Sequence, residues 1–305
     1  MSNAPELKSS RKPTPFQAGP FELKMGLRRL DLDEWITVDS EMPSELAERR
    51  RLLKERHADV FAALPDATEG SEETLDLLVE HLALTHPAIY RLEDRHIRNR
   101  ATNESFDLDA GDLHPLEVAG RLVQEDLCLM QQAAPGGDYI LAAACLCFPT
   151  RWVLAEKIGR ALDVIHDVVP GYEASLSRSV NGLFERLLPE RPVERFNWSV
   201  LDDPSLYQPT GRGRADDATH VTGENAGDQL WLRVERQTIR RLPTTRDVLF
   251  TIRVYVRPLA ELARTPSDAL RLAAALEGMG SSMRAYKGLS VLAGEAIEWL
   301  HRAGA

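Results

Sequence analysis

The stretch LWLRVERQTIRRLPTTRDVLFTIRVYVRP, Leu230 to Pro258, decides the fold. Apolar and polar residues alternate from Leu230 to Thr238 and again from Val248 to Val256, which is the period of two expected of half-buried strands. Leu242 to Asp247, with Pro243 inside it, reads as the turn, so two antiparallel strands are the economical interpretation. Alternation puts Trp231, Arg233, Glu235 and Gln237 on one face of the first strand and sends Arg236 and Arg240 to the other. Thr251, Arg253 and Tyr255 share a face of the second. Charged side chains of both signs on strands that otherwise ask for burial single this hairpin out.

Working outward, the unbroken apolar run Tyr139 to Phe148 follows the turn signal Gly136-Gly137-Asp138 and stops at Pro149, as a buried strand does. Arg195 to Val200 reads as a short strand. After Pro170-Gly171, the positions Tyr172, Leu176, Val180, Leu183, Phe184 and Leu187 form one apolar stripe of a helix that ends at Pro189. Upstream lie three helical patterns: Ser44 to Leu64, Glu72 to Thr85, and one after Pro115 that carries Val118, Leu122, Leu127 and Met130. Residues 1–40, with Pro13, Pro15 and Pro20 between the anchors Phe16, Phe21 and Trp35, read as an extended arm. Gly211 to Asp228 has no period and reads as a mobile loop. Helical tracks return at Leu259 to Leu276 and Leu289 to Leu300. The expected organisation is an α+β chain: an arm over 1–40, a helical region over 41–135, an antiparallel core over 136–260 and C-terminal helices over 261–305.

The composition is that of a globular protein, with 43% hydrophobic and 28% charged residues in a chain of 305. Lysine and arginine total 37 against 47 acids, a formal charge of −10, which argues against nucleic acid as a partner. The longest apolar run is too short to span a bilayer, which takes about 20 residues, and the first residues, MSNAPELKSSRKPTPF, lack the apolar segment of a signal peptide. The expectation is a cytoplasmic protein without a membrane partner. Cys128, Cys145 and Cys147 read as reduced, packed thiols. G-x-G-x-x-G, G-x-x-x-x-G-K-[ST], G-x-S-x-G and H-E-x-x-H are all absent, so a redox enzyme built from this chain would not hold its own dinucleotide. His81 and His86 are five apart, a spacing that does not bring two imidazoles to one metal on a helix.

Two features remain. His166 sits between Val164-Ile165 and Val168-Val169-Pro170, and by spacing alone it is either a hydrogen-bonded core histidine or a haem or other metal ligand. Arg233, Arg236, Arg240 and Arg241 crowd around Glu235. Guanidinium groups on a strand suit the capture of carboxylates such as haem propionates, and an ion-paired solvated face is an equal alternative.

Three ordered motifs connect these features: RWVLAEKIGRALDVIHDVVPGY (Arg151 to Tyr172), FNWSV (Phe196 to Val200) and RVERQTIRRLPTTRDVLFTIRVY (Arg233 to Tyr255). Together they resemble the haem-dependent oxidative N-demethylase family, over roughly Phe16 to Leu300 and most sharply over 139–260. The resemblance implies a PAS-like antiparallel sheet that binds haem b through its iron, with additional N- and C-terminal helices. It implies a monooxygenase subunit that uses O2 to demethylate a small secondary alkylamine such as dimethylamine, yielding formaldehyde and the primary amine. Electrons would come from separate flavin and iron–sulfur reductase subunits, in keeping with the missing dinucleotide motif. Within I-H-x-x-V-P-G-Y, the resemblance makes His166 the axial ligand, although Val168 stands where the family pattern has a proline. Arg151, Lys157, Tyr172, Arg233, Arg236 and Arg240 become the expected cofactor contacts. Glu235 becomes the catalytic carboxylate that holds a protonated amine. The rival reading is a non-catalytic PAS-type haem or small-ligand sensor, which a fused signalling module would favour; none is visible in the sequence.

Overall fold

The alternating hairpin lies at the centre of a seven-stranded sheet. A computed structural model describes residues 23–134, 136–210 and 220–305, together with residues 5, 7–9, 12–17, 19 and 21. Its strands are β1 (Arg28–Arg29), β2 (Phe61–Ala63), β3 (Tyr90–Glu93), β4 (His96–Asn99), β5 (Glu104–Asp107), β6 (Asp126–Gln132), β7 (Tyr139–Cys145), β8 (Val193–Leu201), β9 (Trp231–Arg241) and β10 (Val248–Pro258). The large sheet runs β1-β8-β9-β10-β6-β7-β2, and β3-β4-β5 form a separate small sheet. Every pairing between these strands is antiparallel. The helices are α1 (Met42–Glu55), α2 (His57–Val60), α3 (Thr68–Thr85), α4 (Pro115–Leu122), α5 (Leu162–His166), α6 (Arg178–Arg186), α7 (Ala226–Gln229), α8 (Leu259–Leu262), α9 (Pro266–Glu277), α10 (Ser281–Tyr286) and α11 (Leu292–Gly304). The architecture is therefore α+β with antiparallel sheets.

Several boundaries differ from the sequence reading, each for a physical reason. The helix expected over Ser44 to Leu64 ends at Glu55; after the short α2, Phe61–Ala63 is drawn into the sheet by pairing with the edge of β7. The helix after Pro115 stops at Leu122, and Leu127 to Met130 belong to β6. That strand is buried on both faces, so it carries no polar alternation to announce itself. Tyr90 to Asp107, inside the expected helical region, is a sheet whose turns place Asp94 and Asn103 at φ of 50° and 60°. Asp and Asn tolerate that left-handed conformation better than most residues. The helix expected from Tyr172 onward begins as a π-helical turn, Glu173–Ser177, before α6. Of the loop expected over Gly211 to Asp228, residues 211–219 lie outside the described residues and Ala226–Gln229 is α7.

The two faces of the large sheet are packed differently. On the front face, Cys128, Met130, Ile239, Val248, Ile252 and Val254 meet Leu154, Leu162, Phe184 and Leu187 from the segment that contains α5 and α6. On the back face, Leu127, Leu129 and Leu249 meet α1, α3 and α4, and Leu232, Val234 and Tyr255 meet the C-terminal helices. The back face also buries an ionic group, in which Arg253 bonds Asp39 at 3.0 Å and Glu45 at 2.8 Å. The three cysteines are buried and free.

Candidate functional site

Register builds the site. Asn197 of β8 lies opposite Glu235 of β9, Arg195 opposite Gln237 and Ser199 opposite Arg233. Alternation therefore sends Arg195, Asn197, Arg233, Glu235 and Gln237 to the front face together. Glu235 is buried, at 7% exposure. Its Oε2 accepts from Asn197 Nδ2 at 3.2 Å and Gln237 Nε2 at 2.8 Å, and its Oε1 accepts from the Thr150 hydroxyl. All three donors are neutral. The carboxylate's charge is thus unmatched by any direct cationic contact among the described residues.

The donors are locked in direction. Arg233 Nε donates to Thr150 Oγ1 at 2.9 Å, and a guanidinium cannot accept, so the Thr150 proton points to Glu235. The other nitrogens of Arg233 donate to the carbonyls of Phe148, Pro149, Ser205 and Leu206. Burial lowers the Arg233 pKa to about 10, which leaves it protonated at neutral pH. Arg233 therefore shares the face of Glu235 as alternation requires, but its donors are spent on the chain itself. It braces the 148–150 loop and aims Thr150.

The imidazole is supplied by α5. His166 Nδ1 lies 2.8 Å from Leu162 O, and a carbonyl can only accept, so Nδ1 carries the proton. Burial lowers the pKa of His166 below the ordinary imidazole value, with Arg195 and Lys157 pushing the same way. The ring is accordingly neutral, with its lone pair on Nε2. Tyr172 stacks on it with ring centroids 4.8 Å apart and planes 13° apart. The Pro170-Gly171 turn returns Tyr172 over the imidazole, and Gly171 sits at φ +79°, where a side chain would be strained. Lys157 Nζ donates to Ile165 O at 3.0 Å and so secures the end of α5.

Arg195 connects the two halves. It lies within charge range of Glu235 and Tyr172, and burial lowers its pKa from the usual guanidinium value. Its Nε is buried without a hydrogen-bond partner. A buried guanidinium nitrogen left unpaired is costly, and Arg49, Arg240, Arg253 and Arg284 each bury such an Nε as well.

Other expected contacts lie elsewhere. Arg236 and Arg240, also expected as cofactor contacts, point to the back face, opposite to Arg233 and Glu235. Arg236 donates to Glu194 at 2.7 Å, to Thr37 Oγ1 at 3.1 Å and to the Glu34 and Trp35 carbonyls, while Arg240 lies over the Trp35 ring at 4.4 Å. Both pin the N-terminal arm, beside a cleft of about 460 Å³ lined by Glu34, His86, Glu194 and Tyr255 and remote from His166. Arg151, at φ +58°, contacts the Lys287 carbonyl at 3.5 Å and Asp202 at 3.7 Å, which ties the loop to the C-terminal helices. Sequence reasoning missed Arg195, Thr150, Asn197 and Lys287, and placed Gln237 on the face of Glu235 without giving it a role. Parity along β8 was the available signal for Arg195 and Asn197; Thr150 and Lys287 arrive from distant loops that carry no local signal.

No helix among the described residues is long and apolar enough to cross a membrane. Among those residues no group of three or more His, Cys, Asp or Glu is arranged to hold a metal ion. A haem iron asks less of the protein, since the macrocycle supplies four ligands and one neutral imidazole can supply the fifth. The residues present fit such a group: His166 offers a lone pair, Arg195 an unpaired guanidinium nitrogen. Trp152, Ile158, Ile165, Val180, Leu183 and Phe250 are partly buried and pack against the front-face core. The model of a family described as haem-dependent oxidative N-demethylase, alpha subunit-like, matches residues 26–297. That description names a haem-dependent activity and implies a multi-subunit assembly. With the match running through nearly the whole of its length, the chain belongs to the haem-dependent oxidative N-demethylase alpha subunit-like family.

Proposed function

We propose that this chain is a PAS-like haem b subunit that removes a methyl group from a small secondary amine of the dimethylamine type, in the cytoplasm, where its three free thiols stay reduced. The observations that carry the reading are a neutral imidazole on α5, which packs on the front face, and a buried carboxylate on that face whose hydrogen-bond donors are all neutral, with Arg195 within charge range of both.

In this reading His166 Nε2 would hold the haem iron. The Nδ1–H bond to Leu162 O sets the tautomer, and Tyr172 limits rotation of the ring. Arg195 receives a carboxylate of the cofactor, and Lys157 keeps α5 in place. Bound haem supplies oxygen activation, so that R–NH–CH3, O2, two electrons from separate flavin and iron–sulfur subunits and two protons give R–NH2, formaldehyde and water. Glu235 binds the substrate ammonium at Oε1, which accepts only from Thr150 and keeps a lone pair, whereas Oε2 already accepts from two side chains. An ammonium nitrogen has no lone pair, so Oε1 also takes its proton before the neighbouring C–H bond is oxidised. The buried side chains of Ile252 and Val254 keep water from that carboxylate.

The test is a turnover assay of the haem-loaded protein with dimethylamine, air, and a flavin and iron–sulfur reductase. Formaldehyde and methylamine in equal amounts are expected. An intact, reducible haem that yields no formaldehyde from any small N-methylamine would overturn the proposal.

A further inference from the structure

We propose that Lys287 is a positioning residue for Glu235: it locks the Asn197 amide so that the carboxylate keeps its neutral donors at Oε2 and leaves Oε1 to the amine. The inference rests on the reading of Glu235 given above.

Lys287 is 8% exposed, and its Nζ donates to Asn197 Oδ1 at 3.0 Å and Trp198 O at 2.7 Å. An ammonium has donors only, so Oδ1 must face it, and the amide NH2 is thereby turned to Glu235 Oε2. The placement of Lys287 is itself constrained. It follows α10, and Gly288 takes φ +69° against the Arg151 guanidinium, a conformation in which a side chain would be strained. A buried ammonium that bonds no carboxylate directly is an expensive way to fill space, and packing alone would be served by Met or Leu.

The charged and titratable groups near Lys287 are Glu235 on β9, Arg195 on β8, Tyr286 on α10 and Arg151 on the loop. Burial lowers the pKa of Lys287 to about 8; Glu235 opposes that shift and Arg195 adds to it. The ammonium is therefore lost as pH rises through about 8, and the neutral amine no longer dictates which way Asn197 faces. Removing a positive charge near Glu235 would by itself strengthen the binding of another cation. Orientation and simple repulsion thus predict opposite signs.

The experiment titrates haem-loaded wild type, Lys287→Met and Lys287→Arg with dimethylamine by visible absorption, from about pH 6.5 to about pH 9.5, where dimethylamine remains protonated. The wild type is expected to lose affinity as pH rises through about 8 and to level off about tenfold lower, where the ammonium is gone. Lys287→Arg stays protonated and should hold its affinity across the range. Lys287→Met should bind about tenfold more weakly at neutral pH and show no break near pH 8. Wild-type affinity that rises above pH 8, or a Met variant that binds like the wild type, would overturn the inference and leave the N-demethylase reading intact. If the Met variant does not fold, an Arg variant that weakens at the same pH as the wild type overturns it equally. A haem-loaded wild type with no response to any N-methylamine removes both, and is told apart by the silent wild type.

Discussion

Replacing Arg195 by leucine separates a functional cation from a structural one, because the two predict opposite changes in stability. The Arg195 Nε is buried with no acceptor, a condition that costs about 1–3 kcal/mol. Attraction to Glu235 offsets part of this, which leaves a net gain of about 1–2 kcal/mol for the haem-free variant. In a domain of this size that corresponds to a rise in Tm of roughly 2–6 °C. Hemin affinity should move the other way: losing a charged hydrogen bond of about 1.5–3 kcal/mol weakens binding roughly 10- to 150-fold. Thermal melts of the haem-free proteins and hemin titrations at the Soret band measure both quantities. A variant that melts lower than the wild type and binds hemin equally well would refute the reasoning and make Arg195 a packing cation.

His166→Ala should fold and lose most of its capacity to retain hemin, read from the ferric spectrum; an unchanged spectrum would move the ligand to another residue. Glu235→Gln keeps the shape, but its amide has one oxygen for the three donors of Thr150, Asn197 and Gln237, so amine-dependent formaldehyde release should fall by about 10² or more while the haem spectrum persists. Turnover at the wild-type rate would make Glu235 structural. His81 on α3 has its pKa lowered to about 4 from 6.5, chiefly by burial. The unfolded chain therefore takes up a proton that the folded site refuses, and stability is lost as pH falls from about 6.5 to about 4. Denaturant melts of His81→Gln across that range should show a shallower loss than the wild type, and parallel curves would contradict the assignment.

The hairpin β9–β10 was legible because one face of each strand is polar, so the period of two shows in the residues themselves. The same property exposed Glu235 and the split between Arg233 and Arg236. Strand β6 was not legible, since Leu127 and Cys128 are buried on opposite faces and look like one turn of an apolar helix. Nor was the small sheet β3-β4-β5, whose strands are short and held by the turn residues Asp94 and Asn103. At the site, the motif around His166 was readable through the Pro170-Gly171 turn. The supply of donors was not: Thr150 and Lys287 lie 85 residues or more from Glu235 or from the Asn197 they orient, and only the fold brings them together. Counting arginines does not say where each is used: Arg236 is recruited by the backbone carbonyls of Glu34 and Trp35, and Arg240 by the Trp35 ring.

The central claim, that His166 and Arg195 frame a haem site, is tested most directly by titrating hemin into the purified wild-type chain and recording its absorption spectrum. The account predicts a Soret band that saturates at about one haem per chain, with the ferric and ferrous spectra of a histidine-ligated haem b. A chain that stays colourless, or whose spectrum is that of free hemin, would contradict it.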